Sequence, residues 1–240
     1  SILTFIISHA IPGDPALLIV GPKASKAAVE SIRKEHGLDR PMPVQYLRYM
    51  RGLAQGDLGQ SIRNHRPVTS DLADFFPATL ELTMASLFLC LFIGIPLGIL
   101  AAVRRNRLAD HVARVISVIG VSTPVFWLGL MLLLLFYRHL GWLPGSGRLD
   151  VTSSPPIGVT GLYVIDAALA GDWALLKEVL SHLILPAFCL SYVYLAVITR
   201  IVRSSMIAVL GQDYITTAKA NGLSTFRVIF KHAFKNSLIP

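Results

Sequence analysis

Three long stretches of this chain contain no Asp, Glu, Lys or Arg, and they limit its possible folds more than any other feature. They cover residues 82–103, 115–137 and 179–199. A helix needs about 20 apolar residues to cross the hydrocarbon of a bilayer, and each stretch supplies that length. Inside a bilayer the backbone must satisfy its own hydrogen bonds, so such runs fold as helices. Of the 240 residues only 15% are charged and 53% are hydrophobic, where a soluble domain carries about 25% charge. The chain reads as an all-α integral membrane protein.

A further apolar run, residues 1–11, is shorter and ends at IPGDP, whose prolines and glycine break a helix. It reads as the end of a spanning helix that begins upstream, which makes the chain a fragment of a longer protein. The basic residues then assign sides. Arg104, Arg105, Arg107 and Arg114 stand against Asp110 alone between the first two full spans. Arg200, Arg203, Lys219, Arg227, Lys231 and Lys235 stand against Asp213 alone after the third. Both regions are expected on the cytoplasmic side. Residues 138–178 balance Arg138, Arg148 and Lys177 with Asp150, Asp166, Asp172 and Glu178, and are expected outside. The cations flank apolar runs rather than surface aromatics, so they read as topology signals and nucleic acid is not an expected partner.

The expected organisation follows. Residues 1–11 end a first transmembrane helix and 12–78 form a periplasmic insertion. Residues 79–205 hold transmembrane helices with a cytoplasmic loop at 104–114 and a periplasmic loop at 138–178. Residues 206–240 form a cytoplasmic loop. In the insertion, PVQYLRYMRGLA has near-helical apolar spacing and GDLGQS reads as a turn. LYVIDAALAGDWALLKEVL reads as short helices at the membrane surface. Gly94, Pro96, Gly98, Pro124 and Pro186 interrupt the spans, and ordinary bilayer packing accounts for such residues as well as a pathway does. Cys90 and Cys189 lie in apolar runs and imply packing, not a disulfide. The scattered histidines match no metal-ligand spacing. No span buries an acidic or basic side chain in its middle, which argues against an ion-coupled secondary carrier.

The cytoplasmic segment holds the candidate site. Residues 206–220 read as one helix with Ile207, Leu210, Tyr214 and Ala218 on a stripe, stopped at Asn221-Gly222 by a left-handed turn. Ser224 or Thr225 caps a second helix. There Arg227, Lys231 and Lys235 form one face, opposite Phe226, Ile229, Phe230, Ala233 and Phe234. Small residues around a sharp turn suit the grip of a partner's groove, and a surface helix resting on lipid fits them equally.

DYITTAKANGL, followed by RVIFKHAFKNSLIP, resembles the cytoplasmic EAA loop of ABC-importer permeases of the peptide type. Thr217 and Ala218 stand at the family's paired alanines, Gly222 at its glycine, and Thr216 where other branches carry Glu. His232, Phe234 and Lys235 occupy the places of the later Ile-x-Leu-Pro. IPGDPA, HGLDRPMPVQYLRYMRGLAQGDLGQSI, PATLELT, PLGILAAV, STPVFWLG, WLPGSGR, ILPA and TRIVRSSM resemble further family landmarks, in order over nearly the whole chain. The resemblance implies the type I ABC-importer transmembrane fold, with an outer insertion after the first helix and a cytoplasmic coupling hairpin. It implies a multi-pass permease subunit of the bacterial inner membrane that takes up dipeptides or short oligopeptides; nickel or glutathione import is the alternative. The implied partners are a second homologous permease, two cytoplasmic ATPases, a periplasmic solute-binding protein and the lipid bilayer. ATP and Mg belong to the ATPases. No cofactor is expected in this chain, which lacks the G-x-x-x-x-G-K-[ST] phosphate cradle. The implied ATPase-coupling residues are Asp213, Tyr214, Thr217, Ala218, Lys219, Ala220, Gly222 and Leu223, while the substrate contacts stay unassigned. A non-transporting scaffold is the remaining rival.

Overall fold

The computed structural model describes residues 2, 3, 5, 6, 15–21, 24–35, 37–61, 64 and 66–238. The expected helix end at residues 1–11 and its IPGDP break fall mostly outside these. The chain divides into two compact units, Ser1–Phe76 and Pro77–Pro240. In the first, helices α1 (Pro15–Val20), α2 (Lys26–Glu35) and α3 (Met42–Ala54) are short; α1 is wholly apolar, while α2 and α3 carry polar faces. Gly37 at φ +66° closes α2, with the Leu38 amide on the Arg33 carbonyl, and Gln45 Nε2 ties the turn to the Arg40 carbonyl at 2.7 Å. The GDLGQS stretch is a turn, with Gly56 and Gly59 at positive φ.

The second unit is built on long helices. Helix α4 (Val68–Val103) begins well before its apolar run, 82–103, and ends with it. Arg66 pairs with Asp71 and Asp74 on its opening turns. α5 (Leu108–Ser122) leads to α6 (Val125–Leu132), which winds on as a π-helical segment, Leu133–His139. α7 (Tyr163–Leu169) and α8 (Trp173–Leu210) follow. Asp172 caps α8 by accepting from the Leu175 amide at 2.9 Å.

Contacts along α8 fix the chain direction. Gly94 faces Leu195 and Ile198, Gly98 faces Thr199 and Val202, and Thr199 Oγ1 donates to the Gly94 carbonyl, so α4 and α8 run parallel. Asp110 meets Arg203, Gly120 meets Ala196 and Gly129 meets Cys189, so α5 and α6 run antiparallel to both. Parallel helices require the chain between them to return. The bent pair Leu108–Ser122 and Val125–His139 makes that return with a sharp break, and not as the single run expected over 115–137. The break has a local cause. Proline disfavours the helical conformation in the residue before it; Thr123 is extended at φ −88°, ψ 123°, Pro124 follows at φ −61°, ψ 130°, and the helices meet at 105°. Packing alone does not account for Pro124. Pro96 and Pro186 lie inside unbroken helices.

Glycine makes the α4–α8 seam close. A Cβ at Gly98 would stand 2.7 Å from Val202 Cβ and 2.9 Å from the Thr199 carbonyl oxygen, with backbone on one side and a β-branched side chain on the other. Gly98→Val should therefore overpack the seam at a cost of about 1–3 kcal/mol, read as a lower melting temperature and lower membrane yield of the purified protein. Gly129→Ala meets only Cys189 Sγ at 3.7 Å and should behave as the parent does.

Candidate functional site

At the Asp110 end of the bundle the chain makes a hairpin. α8 stops at Leu210, and Gln212, extended at φ −85°, ψ 152°, starts α9 (Asp213–Ala220). The single helix expected over 206–220 is thus two, because Gly211 is a poor helix residue and an extended Gln212 redirects the chain. The second arm opens with α10 (Thr225–Arg227), winds as a π-helix over Val228–Phe234 and closes with Lys235–Ser237.

The turn between the arms closes on both partners that a Schellman motif requires. The Leu223 amide donates to the Ala218 carbonyl at 3.3 Å and the Gly222 amide to the Lys219 carbonyl at 3.0 Å, with Gly222 at φ +73°. Asp213 in the first turn of α9 and Lys219 in the last complement the helix dipole. Ser224 occupies the N-cap position of α10 without a side-chain cap bond.

One buried cluster fastens this hairpin to the long helices. Ile215 and Ala218 of α9 and Val228 and Ala233 of the second arm pack with Ile99 and Ala102 of α4 and Met206 and Val209 of α8. Met206, Ile215 and Val228 are fully buried, each worth about 1.5–3 kcal/mol on a water-exposed surface. Of the expected coupling residues, Ala218 is buried in the cluster, Leu223 is half-buried against it, and Asp213, Tyr214, Thr217, Lys219, Ala220 and Gly222 are exposed. Thr217 Oγ1 donates to the Asp213 carbonyl at 3.1 Å, so its outer surface is small.

Two expectations about side-chain direction change. Ile215, not Tyr214, is the inward residue of α9; the Tyr214 hydroxyl accepts from Asn236 Nδ2 at 2.9 Å and ties the two arms at their surface. In the second arm Phe226 and Phe230 are exposed and lie against each other, ring centroids 4.6 Å apart. Val228 points inward instead, beside Ala233, which the expected apolar face already contained. They are five residues apart, the spacing that a π-helix aligns and an α-helical reading misses. Sequence reasoning also missed Ile215 and Met206 as anchors, although both are large apolar residues beside the turn.

Beside the hairpin, Asp110 is fully buried. Arg203 grips both its oxygens, the Asn106 amide donates to Oδ2 at 2.9 Å, and Arg114 lies at 3.5 Å. The α4–α5 loop is thereby tied to α8, and Asn106 accepts a positive φ of 61° to make the contact.

At the opposite end Glu81 holds the long loop before α8. Its carboxylate accepts from Arg148 Nη2 at 2.8 Å and the Val164 amide at 2.6 Å, and Arg148 lies 3.5 Å from the Tyr163 ring centroid. Glu178 accepts from the Asp150 amide and the Ser153 hydroxyl, both at 2.9 Å. A cavity of about 460 Å³ opens beneath, among Gly129, Leu133, Gly145, Ser146, His182 and Cys189. Among the described residues no cluster of His, Cys, Asp or Glu is placed to hold a metal.

Burial alone would raise the Asp166 carboxyl. The amide and hydroxyl of Thr160 and the amides of Val159 and Gly161 outweigh it and hold the group below the ordinary carboxylate range. A depressed carboxyl contributes stability above its unfolded value and loses it as pH falls through the folded one. Protection of the amides at residues 159–161, taken relative to unfolded-chain exchange at the same pH, should therefore stay high at neutral pH and fall only below the ordinary carboxylate range. Asp166→Ala should lack that protection at both.

The chain matches known transport components over its length. The family described as binding-protein-dependent transport system inner membrane component matches residues 94–240, and the one described as its membrane component N-terminal part matches 1–83. A probable D,D-dipeptide transport system permease protein of Escherichia coli (strain K12) is 53% identical over 239 residues, covering 100% of this chain and 70% of the relative. A dipeptide transport system permease protein of Alkalihalophilus pseudofirmus is 43% identical over 240 residues, covering 100% and 72%. A glutathione transport system permease protein of Escherichia coli O6:H1 is 38% identical over 240 residues, covering 100% and 69%.

Proposed function

Since the chain belongs to the family of binding-protein-dependent transport system inner membrane components, we propose that it carries dipeptides inward and that its hairpin is where ATP hydrolysis on a partner reaches the membrane. The chain is an all-helical, multi-pass permease subunit of an ABC importer of the inner membrane, with the type I membrane-domain fold, and it is not an enzyme. The dipeptide substrate rests on relatives at 53% and 43% identity that bear that name, against 38% for the glutathione permease. Nickel has no such support among these relatives.

The observation that carries the coupling role is the buried cluster. A force applied to the exposed face of α9 passes through Ile215 and Ala218 straight into the ends of α4 and α8. In this reading the Asp110 end faces the cytoplasm and the Glu81 end the periplasm, as the basic residues require. Asp213, Tyr214, Thr217, Lys219, Ala220 and Gly222 meet a cleft on an ATPase subunit, while Ala218 and Leu223 brace the turn from below. The ATPases, two per importer, bind ATP and Mg; this chain needs neither. A second homologous permease completes the pathway, and a periplasmic solute-binding protein delivers the peptide at the outer end. Residues 12–78, the periplasmic insertion, lie on that side, as does the loop at 138–178. The loop at 104–114 and residues 206–240 lie on the cytoplasmic side of the helices in 79–205.

Gly222 separates coupling from folding. No atom lies within 4 Å of the place a Cβ would take, so a substitution there strains the backbone without a clash. A left-handed β-branched residue costs about 1–2 kcal/mol, and Asn is tolerated there far better. In the assembled importer Gly222→Val should assemble yet lose most dipeptide uptake and peptide-stimulated ATP hydrolysis, while Gly222→Asn keeps both. Normal uptake by Gly222→Val would remove the turn from the coupling path. Uptake of labelled glutathione in preference to a labelled dipeptide would reassign the substrate and leave the coupling role standing.

A further inference from the structure

A second cavity, of about 450 Å³, lies between α5 and α8 at the Asp110 end, away from both the hairpin turn and the outer cavity. Its chemistry is divided along its length. Arg114, Arg200 and Arg203 stand at the mouth, and Val118, Val121 and Ala196 line it further along the helices towards the bilayer centre. The antiparallel course of α5 and α8 makes this order a geometric one, because 114 lies near 200 and 203 while 121 lies nearer 196.

The charge at the mouth is not balanced. Among the described residues Asp110 is the carboxylate beside that mouth, and Arg203 engages both of its oxygens. Arg114 divides itself between Asp110 at 3.5 Å and His111 Nδ1 at 3.1 Å. Arg200 is exposed and has no hydrogen bond or ion pair among the described residues. Arg104, Arg105 and Arg107 of the adjoining loop are exposed as well. The apolar part is open rather than enclosed, since Val118 and Val121 are 66% and 57% exposed.

We infer that this groove binds an anionic phospholipid of the cytoplasmic leaflet, its phosphate between Arg114 and Arg200 and an acyl chain along Val118, Val121 and Ala196. Basic pockets between spanning helices on the cytoplasmic side suit such headgroups, and an apolar channel continuing from the cationic mouth suits the tail. The carboxylate of an arriving peptide has the charge for the mouth but, in a dipeptide, no long chain to fill the groove. The bound lipid would sit against the Arg203–Asp110 contact that joins the α4–α5 loop to α8, next to the helix ends that carry the hairpin. The inference holds whatever substrate the importer carries.

The test is native mass spectrometry of the assembled importer after equal exposure to phosphatidylglycerol and phosphatidylcholine. Phosphatidylglycerol should be retained preferentially. Arg200→Gln, at a residue that supports no internal contact, should lower that retention about fivefold, the effect of removing one cation near the surface. Val118→Trp, which fills the tail groove and keeps every charge, should lower it too. Both variants should keep the parent's melting temperature in lipid-free detergent. Equal retention of the two lipids by the parent would overturn the inference, as would unchanged retention in Arg200→Gln. Displacement of phosphatidylglycerol by added dipeptide would overturn it as well, and would give the groove to the transported peptide.

Discussion

Everything at the hairpin end of this protein depends on one packing contact, the burial of Ile215, Ala218, Val228 and Ala233 against Ile99, Ala102, Met206 and Val209. Two short arms joined by a tight turn are too small to hold a shape alone, since isolated helices shorter than about 12 residues are marginal in water. Their order comes from the helix ends beneath them. The same contact joins α4 and α8 into one base, so the hairpin rests on two spanning helices and not on a linker. A ligand can shift a conformational equilibrium only through a difference in its contacts between the states. Under the proposed coupling role, a partner gripping α9 would acquire that leverage over the spans because the side chains below α9 hold it to them.

The base is itself a product of small residues in the membrane. Lipid tails give helices no hydrophobic reason to associate, so close packing has to come from surfaces that let backbones approach. Gly94 and Gly98 provide that surface on α4, and Thr199 adds a hydrogen bond to the Gly94 carbonyl. The parallel course of α4 and α8 then obliges the chain between to cross back, and the bend at Thr123–Pro124 is how it does so. At both ends ionic contacts close the loops, Asp110 with Arg203 at the hairpin end and Glu81 with Arg148 at the other. Each pair joins distant parts of the sequence at the ends of the spans.

Much of this was legible in the residues, for physical reasons that also explain the rest. Uncharged runs announce long apolar helices because the bilayer leaves them no other fold. The Asn221-Gly222 stop was legible because glycine takes positive φ at least cost, and its φ of +73° is what the stop needs. The break at Gly211–Gln212 was not, because one glycine in a helical pattern is compatible with continuation. The inward turn of Ile215 depends on that break, so a stripe drawn through Tyr214 pointed to the wrong face. The inward turn of Val228 in line with Ala233 depends on π-helical winding, which no α-helical period reveals. The buried Asp110 was visible only as a lone acid among arginines, a pattern that signals topology first and an ion pair second.

The most direct measurement is of distance between the hairpin and its base while the importer works. Spin labels at Lys219 and Arg200, in a background with Cys90→Ala and Cys189→Ala, report whether α9 moves with α8. Pulsed electron resonance on the assembled importer, nucleotide-free and trapped with ATP, compares the two states. A cluster that fastens the hairpin predicts the same narrow distance distribution in both states, while the hairpins of the two permeases change their separation. A Lys219–Arg200 distance that shifts or broadens with nucleotide would show α9 swinging free of α8, and would contradict the account of force passing through Ile215 and Ala218.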